Sequence, residues 1–141
     1  MNTSRILQLV VQAAAALSLC AMAGSLTWAA PLDGKVFVGE AGEKGKPADE
    51  KNDIITFADG KFHSSACDQY GFNTAEYSVR PDGDAMVFEA ETVSDKEGRM
   101  KWKGTLKNGV MEGTFVHYRK PAWYRPNPEP VEHWFKAVPK S

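Results

Sequence analysis

Residues 100–117 read Met-Lys-Trp-Lys-Gly-Thr-Leu-Lys-Asn-Gly-Val-Met-Glu-Gly-Thr-Phe-Val-His. Met100, Trp102, Gly104 and Leu106 alternate with Lys101, Lys103, Thr105 and Lys107. A period of two is the mark of a strand with one buried and one wet face. Asn108-Gly109 supplies two residues that tolerate φ > 0, as a type I′ hairpin turn demands. A second alternating run follows at once. The segment is therefore an antiparallel hairpin, and similar runs fill most of the chain.

The strands expected from this pattern fall at residues 34–40, 53–58, 61–65, 76–80, 85–93, 100–107, 110–117 and 131–138. Asp59-Gly60 reads as a second two-residue hairpin turn, and Pro81-Asp82-Gly83-Asp84 as a third turn. Residues 41–52 form a polar stretch with Gly42, Gly45 and Pro47, expected as a surface loop. Residues 65–74 are irregular. Residues 120–130 hold Pro121, Pro126, Pro128 and Pro130, which exclude a central strand or helix. No segment has the period of an amphipathic helix. Sequential hairpins make neighbours in space, and closure hides the edges. The fold expected is all-β, with about eight antiparallel strands in an up-and-down barrel. A two-sheet sandwich is the alternative.

Residues 1–29 read as a secretory signal peptide. Arg5 is the sole charge before Asp33, and residues 6–19 are an apolar, Ala-rich run too short for a comfortable membrane span. Thr27-Trp28-Ala29 fits the small-x-small cleavage rule, so the domain is expected at residues 30–141, in the periplasm or secreted. It then carries 16 basic against 18 acidic side chains, a balance that suggests no surface for nucleic acid or for an anionic membrane. No membrane span is expected after signal removal. Cys67 stands alone once Cys20 is gone, so the reading is a monomer with a shielded thiol, or a dimer linked through Cys67.

The strand order resembles that of lipocalin-like barrels, the calycin group in the wide sense. A closer resemblance is to small uncharacterised exported proteins of Gram-negative bacteria. It rests on Asp59-Gly60-Lys61-Phe62, Cys67-x-x-Tyr70-Gly71-Phe72, Trp102-Lys103-Gly104-Thr105, Glu112-Gly113-Thr114 and Trp134-Phe135-Lys136. The resemblance implies compartment and fold, and brings no activity with it.

Three constellations carry chemistry. His63, Cys67, His117 and His133 are soft and borderline ligands, hence candidates for zinc or copper. Glu89 and Glu91 share a face, but alternation turns it to water and opposite Lys101 and Lys103, a cross-strand charge ladder. Tyr70 and Phe72 around Gly71, and Trp123 and Tyr124 in the proline-bracketed loop, are candidate ligand-binding residues at a barrel mouth. The expected core is Val36, Val38, Met86, Phe88, Met100, Trp102, Leu106 and Phe115. Gly-x-Ser-x-Gly, a phosphate loop and His-Glu-x-x-His are all missing, so no catalytic residue and no cofactor is expected. The leading reading is a non-enzymatic module binding a small apolar or amphipathic molecule. A structural protein with a filled barrel docking on an envelope protein is the second, and a His/Cys metal-binding protein the third.

Overall fold

The computed structural model describes residues 31–141, and the signal segment expected over residues 1–29 lies outside them. Eight strands follow one another: β1 (Val36–Glu43), β2 (Glu50–Ala58), β3 (Lys61–Ser64), β4 (Ala75–Asp82), β5 (Ala85–Ser94), β6 (Gly98–Lys107), β7 (Val110–Arg119) and β8 (Val131–Pro139). Each pairs antiparallel with the next, and β8 closes on β1, so the barrel is up-and-down and has no free edge. Among the described residues the one helical segment is a 3₁₀ turn, Ser65–Tyr70, and no helix is long and apolar enough to cross a membrane.

The expected hairpins form. Asn108 (φ 52°) with Gly109 (φ 78°) and Asp59 (φ 53°) with Gly60 (φ 73°) make the two tight turns. Glu89 faces Lys103 and Glu91 faces Lys101 in register on the outer surface, with Glu89–Lys103 3.9 Å apart and Glu91 reaching Arg99 at 3.7 Å. Such exposed pairs contribute about 0–1 kcal/mol each.

The expected phase of β1 is corrected. Phe37 and Ala41 are buried, with Gly39 between them, while Val36 and Val38 are half-buried on the outer face. Both faces of this strand are apolar, so periodicity alone leaves the choice open. Burying one phenyl ring against Phe57, 6.1 Å away edge-to-face, settles it.

The loop expected over residues 41–52 shrinks to 44–49, because β1 and β2 extend past a β-bulge. Gly39 pairs with Asp53 and Glu40 with Lys51, leaving Asn52 unpaired at φ 64°. The extra residue resets the alternation. Asp53 and Glu50, three apart in sequence, therefore both face inward.

Rings fill much of the barrel interior. Phe57 contacts Phe62, Tyr77 and Phe88 at centroid distances of 4.9–5.6 Å, and Phe62 packs on Trp102 at 4.9 Å. Gly104 and Gly113 face the interior, and their missing side chains make way for this packing. A Cβ at Gly104 would collide with the Phe88 ring and approach Phe135 to 2.9 Å. One at Gly113 would lie 2.8 Å from Phe135. The glycines admit phenyl rings rather than a ligand.

Candidate functional site: the open end of the barrel

Antiparallel order sends alternate connections to opposite ends. One end carries the two-residue turns at 59–60, 83–84 and 108–109. It is sealed by the segment before β1: Leu32 is 1% exposed and Asp33 clamps its neighbours. The Asp33 carboxylate accepts from the Gly60 N–H at 3.0 Å and from the Tyr77 hydroxyl at 2.8 Å. The other end carries the connections 44–49, 65–74, 95–97 and 120–130. Beneath them opens a cavity of about 360 Å³.

One wall of the cavity is an aromatic stack written by strand register. Trp102 faces Phe115 across β6 and β7, and Phe115 faces His133 across β7 and β8. Trp102 and Phe115 stack at 4.2 Å, and Phe115 and His133 lie almost parallel at 4.6 Å. Trp102 Nε1 donates to Thr92 at 3.3 Å, which fixes the indole. Met100 completes the apolar floor. Burial lowers the His133 pKa below its ordinary value, and among the described residues its buried Nδ1 has no protein partner.

The opposite wall fills a gap in the sheet. β3 is four residues long and joins β4 through only Lys61–Glu76 and Phe62–Ala75. Residues 65–74 close the breach. Asp53, 6% exposed, anchors them: its carboxylate accepts from Ser64 Oγ (2.6 Å), Ser65 Oγ (3.1 Å) and the Ala66 N–H (2.9 Å). Ser64 Oγ also lies 3.4 Å from Cys67 Sγ. A hydroxyl carries one hydrogen, and the short contact to Asp53 takes it, so the thiol donates to Ser64. At the far side of the segment, Ser94 Oγ donates to the Tyr70 carbonyl at 2.7 Å, and Asn73 Oδ1 accepts from the Val93 N–H at 2.8 Å.

The four expected ligand-binding residues separate into two pairs. Tyr70 and Phe72 line the cavity, Tyr70 at its rim and Phe72 buried with its edge toward His117, 5.8 Å between centroids. Trp123 and Tyr124 sit at the same end but do not line it. They tip a small turn closed by Ala122 N–H to Arg125 carbonyl (3.0 Å) and the reverse (2.9 Å), and are 93% and 66% exposed.

The candidate metal ligands also divide. His63 lies on the outer face and pairs with Asp68 at 2.7 Å. Cys67, His117 and His133 line the cavity, with the His117 Nε2–H donating to the Glu97 carbonyl at 2.9 Å. Among the described residues no group of three or more His, Cys, Asp or Glu is placed to hold a metal ion. Cys67 is buried, and desolvation raises its thiol pKa to about 11, so it is neutral near pH 7.

Sequence reasoning missed Asp49, Glu50, Asp53, Ser64 and Glu97 as lining residues. A signal existed for one of them: Asp53, Ile55 and Phe57 share a period of two, which sets a carboxylate on an apolar face. Glu50 depends on the bulge at Asn52, for which the residue types give no warning. Compared with known proteins, the chain matches no family model, no curated protein and no solved structure.

Proposed function

We propose that this protein is an exported, non-enzymatic binding module that takes a small amphipathic molecule into the open end of its barrel. One observation carries the reading. The two ends are built differently, and the long-loop end holds about 360 Å³ of space lined by both rings and polar groups. Binding pockets combine an apolar wall with a few placed polar atoms, and this volume lies at the small end of their range. The buried Asp53 network supports the reading, since it pre-organises the wall that a ligand would meet. Export rests on the signal pattern of residues 1–29, which supports a location in the periplasm or outside the cell.

The test is saturable binding of a neutral fluorescent probe, 1-aminoanthracene, to the wild type and to Ala66→Trp, which puts an indole into the cavity. The expected result is a saturable fluorescence rise that Ala66→Trp abolishes while its circular dichroism stays native. Wild type that fails to bind, or a folded Ala66→Trp that binds equally well, overturns the reading.

A second reading has its own observation. Trp123 and Tyr124 are held out on a pinned turn with the Arg125 guanidinium 5.6 Å from the Tyr124 ring. Rigid exposed aromatics are what an interaction protein presents to a partner. A barrel that binds no probe, yet whose envelope partner is lost on changing Trp123, would favour this structural role.

A further inference from the structure

The charge of the cavity is one-sided. Asp49, Glu50, Asp53 and Glu97 line it, and among the described residues no lysine or arginine does. Arg119 lies one alternation above His117 on β7, but its guanidinium donates to the Glu129 carbonyl at 3.4 Å, in the 120–130 connection. Lys120 is likewise engaged outside, donating to the Asp95 carbonyl at 2.7 Å. Among the described residues none of these four acidic side chains is in a salt bridge; Lys44 and Lys46 at this end pair with Glu132 and Glu43 instead.

Aromatic rings share the space with these carboxylates. Phe72, Trp102 and Phe115 line it, with Tyr70 at the rim. The faces of Phe115 are covered by Trp102 and His133, so the stack offers a ligand an apolar wall and leaves its charge to the carboxylates. His133 adds a buried ring nitrogen without a protein partner, on the same wall. An anionic ligand would meet four like charges and no compensating donor side chain of positive charge. A neutral one would leave Glu50 and Glu97 without a countercharge in a partly desolvated space, where charge interactions are strong.

Resting on the binding reading above, we infer that the ligand of this cavity carries a positively charged nitrogen on a compact apolar body: an aryl-alkyl amine or a quaternary ammonium compound. The apolar body seats against the Trp102–Phe115 wall, and the ammonium lies toward Glu50, Asp53 and Glu97.

Calorimetric titration with three matched compounds tests this. Phenethylamine, phenethyl alcohol and 3-phenylpropionate share one ring and differ in charge. The amine is expected to bind at least tenfold more tightly than the alcohol, with the propionate weakest. Raising salt from 20 to 500 mM should weaken the amine and leave the alcohol unchanged. Glu50→Gln and Glu97→Gln, both on partly exposed side chains and outside the Asp53 network, should each weaken the amine about five- to tenfold and narrow its margin over the alcohol. If amine and alcohol bind equally, or the propionate binds best, the cation inference fails while the binding reading stands. If none of the three binds and 1-aminoanthracene does not either, both fail. If 1-aminoanthracene binds and the amine does not, the inference alone is overturned.

Discussion

The two ends of the barrel solve the same problem in opposite ways. At the sealed end, two-residue turns leave no chain to spare, so the segment before β1 supplies the plug: Leu32 fills the hole and Asp33 ties it to Gly60 and Tyr77. At the open end the connections run to six, ten, three and eleven residues; the first three line the cavity as walls, and the eleven-residue one contributes no lining residue. The sealed end is satisfied by apolar contact, the open end by a buried carboxylate and a histidine on an aromatic stack. Space therefore survives only where polar groups line it. A barrel of this size is stable because one end is packed, and keeps interior space because the other is not.

The comparison breaks first on packing. Phe57 is fully buried and touches four other rings, so Phe57→Ala should cost about 3–5 kcal/mol, a large share of the ~5–15 kcal/mol available to a domain. Leu32→Ala, unplugging the sealed end, should cost about 2–5 kcal/mol. Tyr70→Ala at the open rim should stay within about 1 kcal/mol. Urea unfolding of the three variants measures the contrast. A Leu32→Ala protein as stable as the wild type would mean that the plug is ornamental and the two ends alike.

A smaller loss is expected where the open end spends its own stability. Asp53→Asn keeps the shape but turns an amide NH₂ toward groups that donate, among Ser64 Oγ, Ser65 Oγ and the Ala66 N–H. The expected cost is about 2 kcal/mol, from a charge-assisted bond lost and a buried donor left unpaired. Amide exchange should show the loss as faster opening of residues 65–74, with the sealed end protected as before. Uniform loss of protection would instead make Asp53 part of the global core.

Acid should act on the open end too. Burial holds the folded-state pKa of His133 below its ordinary 6.5. Above pH 6.5 the ring is neutral in both folded and unfolded chains. As pH falls below 6.5 the unfolded chain takes up a proton that the folded chain resists, so stability falls until the folded-state value is passed. The unfolding midpoint should therefore drop between pH 7.5 and pH 5.5, and His133→Asn should flatten that part of the profile. An unchanged profile in His133→Asn would place the acid sensitivity elsewhere.

How much of this was legible follows from what each feature depends on. The eight strands and their antiparallel order were readable, because a period of two and dipeptides such as Asn108-Gly109 act locally. The phase of β1 was not, since Val36, Phe37 and Val38 offer an apolar side chain to either face and only the partner Phe57 decides. The site was half legible. Tyr70 and Phe72 stood out as rings around Gly71, whereas Glu50 reaches the cavity through a bulge at Asn52, and Phe115–His133 stacking is a matter of register between β7 and β8. Register is a property of pairs of strands, and no single run of residues contains it.

The smallest effect is expected from the residues that look most conspicuous. Trp123 and Tyr124 pack on each other, 5.5 Å between centroids, but otherwise face water, and their turn is held by backbone bonds between Ala122 and Arg125. Changing both to Ser removes little buried apolar area and no fold-holding bond, so stability should stay within about 0.5 kcal/mol of wild type. The same double change should leave probe binding in the cavity within twofold, because neither ring lines it. Tyr70→Ala, one connection away on the same end, should weaken that binding severalfold at little cost in stability. The pair of measurements divides the open end into a cavity and a tip with separate tasks. A double variant that loses several kcal/mol would show that the rings are packed in solution, and one that loses probe binding would show that the 120–130 connection closes over the mouth when a ligand enters.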